Sequence, residues 1–300
     1  MNSRIRTDLA LEAEQLFRAG GRGSGDIPGV RASERLSGGF TVSTIEVLDE
    51  RGESAIGKPR GRYITVELGA LLRREQGAFG EACSLLAKEL RGLLDIPDFS
   101  SVLVVGLGNR DITPDAIGPL CLDSVMITRH LREALPEHFA AFRPVCGIKS
   151  GVLGTTGIES GDMIAAMCRC VRPAAVIAID ALASRSMNRL CRTVQLSDTG
   201  IVPGSGVGNA RQALNRESLG VPVIAIGVPT VVDAATLAFD LLDDAGLDID
   251  PDKLSSSDSM IVTPRDIDRN VRDSAKLIAY SLNLALHKNL SIEDVDMFLS

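Results

Sequence analysis

Tryptophan is absent from this 300-residue chain, and aromatic residues together supply only 3% of it. A core of ordinary size must therefore be built from Val, Ile, Leu and Ala, within a hydrophobic share of 45%. Basic charge is also in deficit: 32 Lys and Arg stand against 39 Asp and Glu, a net charge of −7. A nucleic-acid footprint would carry the opposite sign, so direct nucleic-acid binding is not expected. No apolar run approaches the ~20 residues of a membrane span, and the opening MNSRIRTDLALEAEQL has no apolar stretch like that of an export signal. The expectation is a soluble, cytoplasmic protein with no membrane partner.

The six cysteines (Cys83, Cys121, Cys146, Cys168, Cys170, Cys191) form no CxxC pair and no compact disulfide spacing. They read as free thiols in a reducing compartment. Histidine occurs three times, at His130, His138 and His287, each late in or beyond a predicted helix rather than on a strand-end loop. Zinc and similar ions usually recruit His or Cys beside carboxylates, so neither a metal nor another cofactor is expected. There is no GxSxG elbow for a nucleophilic triad. PGSGVGN (203–209) looks like a phosphate-cradling loop but lacks the Lys-Ser/Thr of a P-loop. It reads better as a turn where backbone passes closely.

What the chain does have is a set of apolar runs ending in glycine, asparagine or aspartate. SVLVVGLGN, PAAVIAIDA and VPVIAIGVPT are β-rich, and each is followed by a loop and a helical segment. Such runs indicate parallel strands covered on both faces. Residues 115–134 and 160–171 read as crossover helices, Leu71 to Leu94 as an amphipathic helix, and Pro264 to His287 as a long final helix. Upstream, Phe40 to Leu48 and Arg62 to Leu68 alternate as an antiparallel pair would, after a helical stretch at 9–18 and a Gly-rich link. The fold expected is α/β: a doubly wound, largely parallel sheet flanked by helices, with an N-terminal β appendage. Residues 9–300 make a single domain, with 9–98 holding the N-terminal helix, β pair and helix, and 99–300 the sheet core.

Open parallel sheets bind ligands beyond the carboxyl ends of their strands. Two acids take such positions: Asp180 directly after AVIAI, and Asp115 a few residues after VLVVG. Brought together, they could not both ionise comfortably, so one would keep a proton near neutral pH. That pair could activate a water and protonate a leaving amine, the needs of peptide hydrolysis. A plainer account also fits Asp115. Thr113-Pro114-Asp115 resembles a helix start, where a carboxylate complements the helix dipole. Asp180 is harder to explain structurally, because a charge after five apolar strand residues is costly unless solvated or paired.

Long stretches of the chain resemble the germination protease family of endospore-forming bacteria. They include IRTDLALEA, SAIGKPRGRYITVE, LVVGLGNRDITPDAIGP, ITRHL, FRPVCGIKSGVLGTTGIES, VIAIDALASRS, the forty residues from QLSDTG to VVDA, IVTPRDID and LNLALH. The resemblance implies an endopeptidase that starts degradation of small acid-soluble DNA-binding spore proteins at germination, in the cytoplasm of the forespore and spore core. It implies a zymogen that removes its own propeptide, a homotetramer, and essential aspartates in TPDAIGP and AIDALASR, hence Asp115 and Asp180 as catalytic residues. By the same resemblance residues 1–8 are the candidate propeptide, cut between Asp8 and Leu9. The core also resembles the hydrogenase maturation endopeptidases, which makes a metal-dependent peptidase of that type the alternative. A phosphate- or nucleotide-binding module is a more distant one. Two departures stand out. The region around 240–262 is shorter than the family pattern, and Lys149-Ser150 replaces a usual Pro, a change expected to alter the cleft wall.

Overall fold

The computed structural model describes residues 6–19, 26–246 and 260–299. Its centre is the set of apolar runs. β4 (Val102–Leu107) and β8 (Val223–Asp233) are buried along their whole length, and β6 (Ala175–Ser184) at all but Ala181. With β5 (Val145–Gly151) they form a parallel set in the order β5-β4-β6-β8. Alternation divides each strand between two cores. Val102 and Val104, with Ile177, Ile179, Ile224 and Ile226, join the helices Ala78–Leu93 and Ile267–Leu286 on one face. Leu103, Val105 and Leu107, with Val176, Ala178 and Val223, meet helix Ser160–Val171 on the other. A strand with no water-facing side has no reason to alternate polar and apolar residues, which is why these three read as continuous hydrophobic runs.

The upstream strands correct the expected architecture. β1 (Val30–Ser37), β2 (Phe40–Val47) and β3 (Gly61–Glu67) do not form a separate appendage. They continue the same sheet through β7 (Thr193–Ser197), which pairs antiparallel with β3 on one side and β8 on the other. The result is a nine-stranded sheet in the order β1-β2-β3-β7-β8-β6-β4-β5, with β9 (Ile261–Val262) antiparallel to the end of β8. Only four strands are mutually parallel, so "largely parallel" holds for one half alone. The antiparallel half is also covered twice. Phe40 and Val42 face the larger core, whereas Ile45, Val47 and Tyr63 pack on the helices Ala10–Ala19 and Glu50–Ile56. β1 ends the sheet and is exposed along most of its length, so its polar sequence, VRASERLS, gives no strand signal.

Smaller differences have local causes. The expected helix 115–134 is broken into a turn at Thr113–Asp115 and helices Ile117–Leu122 and Arg129–Ala134. Between them runs a segment that lets Asn283 of helix Ile267–Leu286, which a short helix Ile292–Leu299 follows, accept from the Met126 N–H at 2.9 Å and donate to the Ser124 carbonyl at 2.9 Å. The helix expected from Leu71 to Leu94 is divided into Gly69–Leu72 and Ala78–Leu93, because the chain turns between them through Arg74 with φ 56° and Gly77 with φ 79°. Residues 247–259, within the shortened 240–262 region, lie outside the described residues, as do 1–5 of the candidate propeptide.

Because the two faces are close-packed, truncation should be felt at the centre and not at the edge. Ile177→Ala, at a fully buried site in β6, is expected to cost about 2–5 kcal/mol in urea unfolding. Leu36→Ala, on the exposed edge strand, should change stability by less than about 0.5 kcal/mol.

Candidate active site

Strand order reverses around β4: the chain goes from β4 outward to β5, then returns to place β6 on the other side of β4. The crevice beyond the carboxyl ends of β4 and β6 is therefore the topological switch point, where open α/β sheets bind ligands. Asp180 sits in β6 as the chain enters this crevice, with 5% of its surface exposed. Asp115 closes the turn after β4, half-buried, on the helical turn leading into Ile117–Leu122.

Glycine makes the approach of these two elements possible. A Cβ on Gly118, in the helix after Asp115, would lie 2.3 Å from the Leu107 carbonyl oxygen of β4 and 2.6 Å from the Ile179 carbonyl oxygen of β6. The helix thus rests directly on both strand backbones, which holds Asp115 beside β6. Thr230 of β8 fixes the turn from the other side, its hydroxyl donating to the Pro114 carbonyl at 2.7 Å.

Asp115, Asp180 and Asp8 line one cavity of about 440 Å³, walled by Gly151–Gly154 and the 203–209 loop. Each carboxylate holds backbone donors. Asp115 accepts from the Asn109 N–H at 2.7 Å, and Asp180 from the Ala181 N–H at 2.9 Å. Asp8 accepts from the Ala183 N–H at 2.8 Å and from the Ser205 hydroxyl at 2.7 Å. Burial pushes the Asp180 carboxyl well above the usual carboxylate range. The charge of Asp115 adds to this, the Ala181 N–H opposes it, and Asp8 raises it further. Burial also raises Asp115, against the Asn109 N–H bond. A proton is therefore held more tightly at Asp180, the more buried of the two acids.

The N-terminal segment is built into this site. The Asp8 N–H donates to the Ala183 carbonyl at 2.9 Å, and a Cβ on Gly206 would meet the Asp8 carboxylate at 2.1 Å. The loop 203–209 cradles a carboxylate, and its glycine is needed for that close approach. Leu9, on the other side of the expected cut, is fully buried and does not line the cavity. Glu12 anchors the following helix. It accepts from the Ser184 hydroxyl at 2.8 Å, the Arg185 and Ser186 N–H groups at 2.7 and 3.1 Å, and the Arg189 guanidinium at 3.1 Å.

Lys149 and Ser150 do not themselves line the cavity, although the next residue, Gly151, does. Lys149 pairs at the surface with Asp123, and the Ser150 side chain is buried, its hydroxyl donating to the Gly151 carbonyl at 3.1 Å. Among the described residues no group of three or more His, Cys, Asp or Glu side chains is arranged to hold a metal ion, and no helix is long and apolar enough to cross a membrane. Lys58 and Gln195 bond the Asp8 carbonyl and, with Ser205 and Glu12, hold the segment; spacing marks none of the four. Their only signal was membership of the long stretches shared with the family.

An acid whose folded pKa is raised stabilises the fold fully below its unfolded pKa, and this contribution is lost as pH rises through the folded value. Asp180→Asn resembles the protonated acid. The variant is expected to be more stable than the unchanged chain at about pH 8 and to lose that advantage near pH 4, the range of an ordinary carboxyl. Urea unfolding at both pH values measures it.

The chain is similar to known proteins along nearly its whole length. The family model described as germination protease, Peptidase_A25, matches residues 8–245. A germination protease of Clostridium tetani is 43% identical over 323 residues, covering 99% of each chain. One from Clostridium perfringens is 40% identical over 324 residues, again 99% of each. A third, from Caldanaerobacter subterraneus subsp. tengcongensis, is 41% identical over 322 residues and 98% of each. The match takes in the turn carrying Asp115, the strand carrying Asp180 and the segment beginning at Asp8, and the chain belongs to the germination protease family.

Proposed function

We propose that this protease of spore germination is an aspartate-dependent endopeptidase, made as a zymogen, that cuts itself between Asp8 and Leu9. It then starts the degradation of small acid-soluble spore proteins in the cytoplasm of the forespore and spore core, as a homotetramer. The observation that carries the reading is the convergence of Asp115, Asp180 and Asp8 on one cavity at the switch point. The residue before the expected cut is already seated beside the two acids expected to perform it.

The chemistry follows from the unequal proton affinity of the pair. The ionised carboxylate takes a proton from a water molecule, whose oxygen bonds to the scissile carbonyl carbon while the carbonyl π electrons move onto oxygen. Collapse of that intermediate breaks the C–N bond, and the leaving nitrogen takes a proton from the acid that held one. One water is consumed, and a carboxylate and an amine are released. The desolvation that raises both pKa values keeps such a proton available above the ordinary carboxylate range.

Seating of residues 6–8 also supports the zymogen. Asp8 fills part of the cavity and binds Ser205, while the Arg6 side chain lies against Gly208. A substrate residue cannot take that place until the segment leaves.

Asp115→Asn and Asp180→Asn are each expected to lower self-cleavage by at least about 10²-fold, the lower end for a general acid or base. The readouts are the Leu9 N-terminus by intact mass and cleavage of purified small acid-soluble spore proteins, with far-ultraviolet circular dichroism unchanged. Cleavage at the normal rate in either variant would refute the pair. For the unchanged chain the pH–rate profile should be bell-shaped, with both limbs belonging to the coupled pair. Activity is lost at low pH as the base is protonated, and at high pH as the acid ionises. A chain beginning at Leu9 should cleave added substrate faster than the full-length chain, and equal rates would remove the inhibitory role of the segment.

A further inference from the structure

The two acids account for the water and the leaving amine, but not for the charge that develops on the carbonyl oxygen. In this structure that oxygen has its own partners. The Asp8 carbonyl accepts from the Lys58 ammonium at 2.9 Å and from the Gln195 side-chain N–H at 3.3 Å. Lys58 also donates to the Thr7 carbonyl at 3.2 Å, and the Gln195 side-chain oxygen accepts from the Ala10 N–H at 2.8 Å.

Sheet register explains how these groups reach one peptide. Asp180 in β6 is directly opposite Gly227 in β8, and Gly227 is directly opposite Gln195 in β7. Directly opposed residues point to the same face. Two strand spacings place Asp180 and Gln195 about 9–10 Å apart at Cα. The residue between them has no side chain, and Leu182 takes up that space: a Cβ on Gly227 would lie 2.3 Å from it. Asp8 bridges the row, bonded through its N–H and carboxylate to Ala183 of β6 and through its carbonyl to Gln195 of β7. Lys58 arrives from the antiparallel half. Helix Glu50–Ile56 is stopped by Gly57 with φ 67°, and the next residue extends into a second cavity of about 240 Å³ that Asp8 and Gln195 also line.

We infer that Lys58 and Gln195 are catalytic residues forming the oxyanion site of the cut, holding the carbonyl oxygen of the hydrolysed peptide while the Asp115–Asp180 pair handles its protons. The inference rests on Asp8–Leu9 being the bond cut. As water oxygen bonds to the Asp8 carbonyl carbon, the π pair moves onto an oxygen already facing an ammonium and an amide N–H. When the C–N bond to Leu9 breaks, that pair returns to re-form the carbonyl and the Leu9 nitrogen takes its proton from the acid. Neither Lys58 nor Gln195 changes its own bonding.

The electrostatics favour this over a simple tether. Among the described residues no carboxylate lies within ion-pairing distance of the Lys58 ammonium. Its bonds go to two neutral carbonyls. Burial pushes its pKa down, and the more distant charges of Asp8 and Glu12 pull it back. A cation held so is poorly compensated in the resting state. It gains most when negative charge appears on the oxygen 2.9 Å away, which is how a preorganised oxyanion donor acts.

The test uses the full-length chain and measures the first-order rate at which the Leu9 N-terminus appears. Lys58→Met keeps the length of the side chain and removes its charge. Gln195→Glu keeps an oxygen for the Ala10 N–H and removes the donor to the Asp8 carbonyl. Loss of a single oxyanion donor is expected to slow cleavage about 10²–10³-fold. Hydrogen exchange of the peptide covering residues 6–12 is measured alongside, because Asp8 and Ala10 donate to Ala183 and Gln195. Slow cleavage with the segment still protected supports the oxyanion role. Cleavage within a few-fold of normal, or loss of rate only in step with loss of protection, overturns it in favour of a tether. Failure of the unchanged chain to cut at Asp8–Leu9 would instead sink the proposed self-processing itself, and this inference with it.

Discussion

The structure depends on placing a carboxyl group inside a strand, β6, that is buried at all but one residue and runs on to Ser184, at the level where its neighbour β4 ends. Five apolar residues of β6 precede Asp180, and nothing in that environment favours a charge except one backbone N–H. The usual remedy would be a neighbouring cation, which would lower the pKa and leave an inert ion pair. Here the nearest charged influence is a second acid, Asp115, whose approach requires a glycine where a helix lies on two strands. The arrangement keeps a proton in a place where an ordinary carboxyl would have lost it. Stability at neutral pH is lowered in return, as is common where a site is arranged for chemistry rather than for folding.

The two halves of the sheet have different tasks, and β8 is what connects them. Its parallel pairing with β6 sets the crevice beyond Asp180, and its antiparallel pairing with β7 brings Gln195 into the same row. A separate β appendage could not have held that register. Because β3 pairs with β7, the helix and turn that carry Lys58 are fixed against the same end of the sheet. The N-terminal segment then crosses from one half to the other, with Glu12 anchoring it to the end of β6 and Lys58 and Gln195 to the antiparallel side.

Much of the parallel half was legible in the sequence, because strands buried on both faces carry continuous apolar runs and end in glycine or acid. Helix 160–171 and the strands beginning near Phe40 and Arg62 were legible for the same reason of clear periodicity. β1 was not, since an edge strand exposed on both faces has no pattern to show. β7 was not, because TVQLS is five residues long and its buried Thr, Gln and Ser look like loop chemistry. The strand-end rule pointed to Asp180 and Asp115 without knowledge of the strand order. Lys58 and Gln195 lie in the half whose pairing was misjudged, and their relation to Asp8 is a property of register across three strands. No local spacing encodes it.

Cleavage gives the N-terminal segment a direction of travel on the proposed reading. While Asp8 is joined to Leu9 it contributes one carboxylate, held by the Ala183 N–H and Ser205, in a cavity that already contains two acids. Hydrolysis turns its carbonyl into a second carboxylate on the same residue. Lys58, already facing that oxygen at 2.9 Å, pairs with the new charge, and the first carboxylate stays in the cavity with the two acids. What is lost is the covalent tether to the buried Leu9, so the product is held by its own contacts alone. Departure of residues 1–8 empties the space beside Asp180 and Asp115 and takes away the partners of Lys58, the Gln195 side-chain N–H, the Ser205 hydroxyl and the Ala183 N–H. Those are the groups that a peptide with an acidic residue before its scissile bond would satisfy. The segment that blocks the site would thus be the template for what replaces it.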